Sequence, residues 1–209
     1  MSCEPILTSA DRSTWEQWER LALAHAGLAV HKARVQRSLG IVADMAKRCP
    51  SAYIAWSGGK DSTALVHLVC VEAGLPVRAM SIKDDLDFPG EEEYVLDLSA
   101  EWGVACDIVR PPFSLQDWLK QHGAELDPGE DMHGRDVAFA KKAFYLVVEA
   151  YRLSHASPGV YLGLRKEESR ARMMNRIQRG PIYTKKTGET VCQPLCDWTG
   201  SKGIDLDSR

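Results

Sequence analysis

Apolar residues recur at helical spacing through Trp15, Trp18 and Leu21, and again through Leu28, Val35, Leu39, Val42 and Met45. Residues 1–12 read as a loose terminus, and Ser13-Thr14-Trp15-Glu16 has the form of a capping box that opens the first helix. Residues 1–49 are therefore expected to form an N-terminal helical segment. Arg and Lys fill much of its other face, so the apolar stripe either packs on the domain that follows or pairs with a second copy of the chain.

From residue 51 the pattern changes. Tyr53-Ile54-Ala55-Trp56 is short and apolar enough for a buried strand, and Thr63 to Val71 returns to a helical period with Gly74 as its stop. Val77–Ile82 and Val104–Val109 read as further strands around a helix that opens at Pro89-Gly90 with three glutamates in its first turn and closes at Gly103. After the break at Pro111-Pro112, Ser114 caps a short helix expected through His122. A polar, mobile loop is expected at 123–135, a helix from Asp136 to Leu153, and a fourth strand at Val160–Leu164. Strands alternating with crossover helices predict an α/β, Rossmann-like, doubly wound and mostly parallel sheet over residues 50–200. Residues 201–209 are left as a short polar tail. Ligands in such sheets bind beyond the carboxyl ends of the strands. Ser57, the residues after Ile82, and Arg165 fall at that edge.

The bulk properties narrow the class. The chain has 209 residues, 44% hydrophobic and 26% charged, with a net charge of −3. It is long enough to bury a full core, and its charge gives no general attraction to nucleic acid. No run reaches the roughly 18 apolar residues of a membrane span, and a cytoplasmic location is expected. The six cysteines, Cys3, Cys49, Cys70, Cys106, Cys192 and Cys196, are scattered and form no zinc-like CxxC pair.

Chemistry concentrates in Ser57-Gly58-Gly59-Lys60-Asp61-Ser62, at a strand-to-helix turn. Two glycines let the backbone turn sharply and approach a ligand, and the next helix offers free N–H groups and a positive dipole end to an anion. Ser57 and Ser62 add hydroxyls and Lys60 a cation, while Asp61 can face a metal or cap the helix. The spacing is not that of a Walker A loop. A second constellation follows the fourth strand: Gly163-Leu164-Arg165-Lys166-Glu167-Glu168-Ser169-Arg170-Ala171-Arg172, with Arg176, Arg179, Lys185 and Lys186 beyond it. Guanidinium groups bind phosphate or sulfate bidentately. The position of Arg165 at a strand end favours a ligand, whereas Arg170 and Arg179 read as members of a solvated basic helix.

The first loop resembles the Ser-Gly-Gly-x-Asp-Ser signature of the PP-loop ATP pyrophosphatases, of adenine nucleotide alpha hydrolase-like fold. The second segment is similar to the Gly-[Ile/Leu]-Arg-x-x-Glu-Ser-x-x-Arg motif of the phosphoadenosine phosphosulfate (PAPS) reductase family, here Gly163, Arg165, Glu168, Ser169 and Arg172. Phe88-Pro89-Gly90-Glu91-Glu92-Glu93-Tyr94 and Pro194-Leu195-Cys196-Asp197-Trp198-Thr199 are similar to two further segments of that family. The resemblance implies ATP cleavage between the α and β phosphates, with Ser57, Gly58, Gly59, Lys60, Asp61, Ser62, Gly163 and Arg165 binding the nucleotide. Lys60, Asp61, Arg165 and Arg172 would serve catalysis, and Mg²⁺ would be held with help from Asp61 or an acid among Asp84, Asp85 and Asp87. It also implies a setting in sulfur metabolism or sulfur-based nucleic-acid modification, with a sulfur-donating or activating protein as partner. PAPS is the alternative ligand, for a thiol-dependent reductase, and a nucleotide-binding subunit inactive without its partner is a further reading. The chain also departs from the family: the paired cysteines of its iron–sulfur members are absent, and Trp198-Thr199 is not followed by the usual Asp-Val-Trp. Lys83-Asp84 stands where relatives carry Asp-Thr, and no cysteine follows Cys196, where reductases carry their nucleophile.

Overall fold

The computed structural model describes residues 8–85, 87–114, 116–117 and 135–199. It divides into two compact units, Met1–Ser38 and Leu39–Arg209, the division falling inside the second helix. The first unit holds helix α1, Ser9–Gly27, and the opening of α2, Ala29–Arg48. The helix α1 begins four residues ahead of the expected capping box. Ser13 and Thr14 are thus exposed positions within it, and the backbone of Arg12 already donates to Thr8 (3.1 Å). Helix propensity upstream of the box suffices to carry the helix past a favourable cap. The short helix expected after Ser114 and the loop at 123–135 lie largely outside the described residues. What is described shows Ser114 Oγ accepting the amide of Asp117 (3.0 Å), an N-cap contact.

The second unit is built on β1 (Ala52–Ala55), β2 (Ala79–Ile82), β3 (Cys106–Val109), β4 (Gly159–Tyr161), β5 (Ile182–Thr184) and β6 (Thr190–Cys192). The helices are α3 (Lys60–Val66, continued by a wider turn over His67–Glu72), α4 (Glu91–Trp102), α5 (Arg135–Ser154) and α6 (Arg170–Arg179). The strands form one six-stranded sheet in the order β3-β2-β1-β4-β6-β5. All neighbouring pairs are parallel except β5 with β6. The α/β, Rossmann-like expectation holds. β5 and β6 are additional to the four strands read from the sequence: three residues each, they form a hairpin closed by Lys185 N to Glu189 O (2.8 Å). The order in which strands are added reverses between the parallel neighbours β1 and β4, which opens a crevice at their carboxyl ends.

Alternation along the strands sends side chains to two faces. On one, Tyr53, Met80, Val160 and Val191 pack with Tyr151 of α5. Tyr151 donates its hydroxyl to Asp107 (2.7 Å), which also receives Arg78 (2.7 Å). On the other, the second half of α2 lies against β4, with the hydroxyl of Tyr161 reaching the carbonyl of Val42 (3.5 Å). The close approach there rests on Gly159, where an added Cβ would sit 2.5 Å from Cys49 Sγ and 2.7 Å from Met45 Cε.

A polar clamp secures the end of the sheet. Asp197, in the turn after β6, receives Lys166 (2.9 Å) and Arg176 (2.7 Å), while Lys166 N donates to Cys196 O (3.0 Å). The segment after β4 and helix α6 are thereby tied to one carboxylate. Partial burial works against its charged form, but the hydrogen bonds from Arg176 and Lys166 outweigh this and hold the carboxyl below the usual range.

Two outcomes are expected. Gly159→Ala should lower the unfolding free energy by about 1–3 kcal/mol through overpacking, measured by denaturant titration. Adding Cys49→Ala should recover part of the loss, because the thiol is the nearer obstacle. Asp197→Asn should cost about 1–2 kcal/mol at neutral pH, discounted for the half-exposed Lys166. A depressed carboxyl pKa stabilises the fold above the unfolded-state value of about 3.9 and loses that contribution as pH falls through the folded value. The melting-temperature gap between wild type and Asp197→Asn should therefore close below about pH 4.

Candidate active site

Trp56 fixes the approach to the site. It is 1% exposed, its indole stacks on Trp102 (ring centroids 6.3 Å apart, 11° between planes), and its Nε1 donates to Thr63 Oγ1 (3.0 Å). The strand end is thus tied both to α4 and to the first turn of α3. Between Trp56 and α3 the chain reverses through Gly58, whose φ of +81° lies in the left-handed region that favours glycine.

The hydroxyls inside this loop bond to the loop itself. Gly59 N donates to Ser57 Oγ (3.4 Å), Ser62 Oγ donates to Gly59 O (2.9 Å), and the two serine oxygens lie 3.1 Å apart. Ser57 N donates to Ser62 Oγ (3.2 Å), and Thr63 N to Gly59 O (2.9 Å). The result is a self-supporting arch over the N-terminus of α3, with Lys60 exposed at its tip and without an ion-pair partner among the described residues. A preformed arch costs little further ordering when an anion arrives.

From the other side of the crevice, β4 delivers Gly163. A Cβ there would stand 2.9 Å from Asp61 O and 3.0 Å from Ser62 Cα. Both obstacles are backbone, so the strand end and the helix start approach as closely as they do only because residue 163 has no side chain. Two residues on, Arg165 is 9% exposed and its guanidinium lies between Asp61 Oδ2 (3.1 Å) and Glu167 Oε1 (2.6 Å). Glu168 accepts the amide of Arg165 (2.8 Å) and the guanidinium of Arg172. Burial opposes the charged form of Glu168, yet these donors, led by the Arg165 amide, keep its carboxyl below the usual range.

Together these elements enclose a cleft of about 430 Å³. Of the residues singled out from the sequence, Ser57, Gly59, Lys60, Asp61, Ser62 and Gly163 line it. Gly58 does not face it but backs onto Glu91 and Val95 of α4. Arg165 and Arg172 stand behind and beside Asp61 and Glu168 rather than on the wall itself. The opposite wall is apolar, from Met80, Ile82, Leu162, Leu164 and the half-exposed Phe144. None of these was singled out from the sequence. Their signal was the alternation of β2 and β4, which sends Met80, Ile82 and Leu162 to one face. Of the acids considered for a metal, Asp84 and Asp87 lie outside the cleft. They help to line a second cavity of about 340 Å³ with Lys83 and Arg110. Cys192 and Cys196 are buried and do not line the cleft. Burial pushes both thiols up, and Cys196 Sγ accepts from Arg176 (3.1 Å).

The cleft thus pairs an apolar wall with an arch of backbone donors and one uncommitted cation, at the crevice where strand order reverses. Among solved structures, the phosphoadenylyl-sulfate (PAPS) reductase of Candida auris in its phosphate complex is similar in fold. It has a TM-score of 0.59 and 17% identity, over 79% of this chain and 75% of that one. The FMN adenylyltransferase of Candida glabrata is similar at a TM-score of 0.52 and 14% identity, and this chain spans 51% of its length. The same enzyme in complex with ATP gives a TM-score of 0.51. No curated protein matches the chain. Residues 51–202, which take in the arch, Gly163 and the Asp197 clamp, match the phosphoadenosine phosphosulfate reductase domain, and the chain belongs to that family.

Proposed function

We propose that the cleft binds an adenine nucleotide, with the base against Met80, Ile82 and Leu162 and the phosphates on the Ser57–Ser62 arch, and that the chain transfers the adenylyl group to an acceptor. The single observation that carries the reading is the arch itself, which faces an apolar wall across about 430 Å³ and presents Lys60 exposed at its tip. A nucleotide needs both surfaces at once, and a phosphate at a helix N-terminus is a favoured arrangement.

In this reaction a nucleophilic oxygen of the acceptor attacks the α-phosphorus, the bond between the α-phosphorus and the bridging oxygen to the β-phosphorus breaks, and pyrophosphate leaves with the electron pair. The protein's contribution is positioning and charge neutralisation. Lys60 neutralises the leaving phosphates. Asp61 holds the Arg165 guanidinium beside the arch, and Arg172, half-exposed, pairs with Glu168, which lines the cleft. Among the described residues no group of three His, Cys, Asp or Glu side chains could hold a metal. Asp61, a carboxylate on the cleft wall, would help to hold Mg²⁺ brought in with the nucleotide. Such an ion would supply further neutralisation of phosphate charge. The proposed setting is sulfur activation or sulfur insertion into nucleic acid, in the cytoplasm, with sulfur delivered by a partner protein. Thiol-dependent reduction of PAPS is the weaker reading, because Cys192 and Cys196 are buried away from the cleft.

Calorimetric titration with Mg-ATP, and separately with PAPS, tests the proposal. Wild type should bind Mg-ATP, and Lys60→Ala should weaken it about tenfold or more, equal to about 1.4 kcal/mol. Binding of PAPS with none of ATP would overturn it. Gly163→Ala should also reduce ATP affinity by about tenfold or more, because its methyl group must displace the backbone of Asp61 and Ser62. Binding by Gly163→Ala equal to wild type would show that the close approach does not shape the phosphate site.

A further inference from the structure

Lys83 follows directly on β2, at the carboxyl edge of the sheet, and is 3% exposed. Its amide donates to Val109 O (2.9 Å), so the backbone is held by β3. Its ammonium meets Glu91 Oε1 at 2.6 Å. Glu91 is the first residue of α4, and its carboxylate lies between the Lys83 ammonium and the back of the arch at Gly58. A Cβ on Gly58 would stand 3.1 Å from Glu91 Oε1 and 3.3 Å from Glu91 Cγ. An acid therefore presses on the back of the loop whose front faces the cleft.

A carboxylate in that place opposes anion binding, and the opposition is weakly screened because the pair is largely withdrawn from solvent. We propose that Lys83 neutralises Glu91, so that the back of the arch presents a cancelled charge to the phosphates bound at its front. The proposal rests on the nucleotide reading above. It makes Lys83 a positioning residue that acts through Glu91: it touches no ligand, yet sets how strongly the arch holds negative charge. Glu91 supplies the shape on which Gly58 rests, and Lys83 makes that shape electrostatically tolerable.

A purely mechanical prop behaves differently from a charge-cancelling one, and the difference can be measured. Calorimetric affinities for Mg-ATP, AMP and adenosine would be compared in wild type, Lys83→Met, Glu91→Gln and the double variant. Lys83→Met leaves the acid uncompensated, so Mg-ATP affinity should fall about tenfold, with a smaller loss for AMP and almost none for adenosine. Glu91→Gln keeps the shape and removes the negative charge, so Mg-ATP should bind as tightly as in wild type or about threefold tighter. The double variant should return close to wild type.

Losses of the same sign in both single variants, equal across the three ligands, would overturn the inference and leave a structural prop. Unchanged binding in Lys83→Met would overturn it as well. Should Lys83→Met fail to fold, the Glu91→Gln effect decides: weaker ATP binding overturns the proposal, and equal or tighter binding supports it. Wild type binding no nucleotide at all would remove the functional reading and this inference together, whereas wild-type binding with wrong-signed variants removes this inference alone.

Discussion

The close approach of Gly163 to the backbone of Asp61 and Ser62 is the contact on which the site depends. It joins two segments a hundred residues apart in the chain, which meet because β1 and β4 are neighbours in the sheet. With a side chain at residue 163, the first turn of α3 would have to retreat, and the arch and the apolar wall would part. The same contact brings Arg165 to Asp61, so the principal ion pair of the site follows from a missing side chain rather than from charge attraction alone.

Electrostatics then divides the basic residues into two populations. Arg165, Lys166, Arg172 and Arg176 are each engaged by a carboxylate; two of these pairs fasten the segment after β4 to α3 and to the turn following β6, and a third ties α6 to the same turn. Lys60 stands apart at the arch. An ion pair that is partly buried contributes little net stability, yet it fixes geometry strongly, because removing one partner strands the other. Most of the paired arginines after β4 are scaffold for the cleft rather than its direct lining.

Much of this was legible in the sequence, and what was not has physical reasons. The arch could be read because serine, two glycines and lysine in that order between a strand and a helix serve few other purposes. The parallel sheet followed from apolar runs separated by helical periods. The hairpin of β5 and β6 was missed because three-residue strands carry almost no periodicity, although the Gly188 turn between Ile182-Tyr183-Thr184 and Thr190-Val191-Cys192 was a usable signal. The engagement of Arg165 with Asp61 was out of reach, since spacing along the chain does not say which acid meets which base across a sheet. Lys83 was visible only as a departure from related sequences. Its partner Glu91 looked like one of three dipole-complementing acids at a helix start, and only the structure shows it paired with Lys83 behind Gly58.

The strand order carries one more consequence. Strands β1 and β4, which present the arch and Gly163, are the central pair, flanked by β2 and β6, while β3 and β5 form the margins. Opening of a sheet by thermal fluctuation begins at margins and reaches the centre last. Amide protons on Tyr53, Ile54 and Val160 should then exchange among the slowest in the molecule, and those of Tyr183 and Thr184 far sooner. Breathing at both margins would leave the footing of the cleft in place.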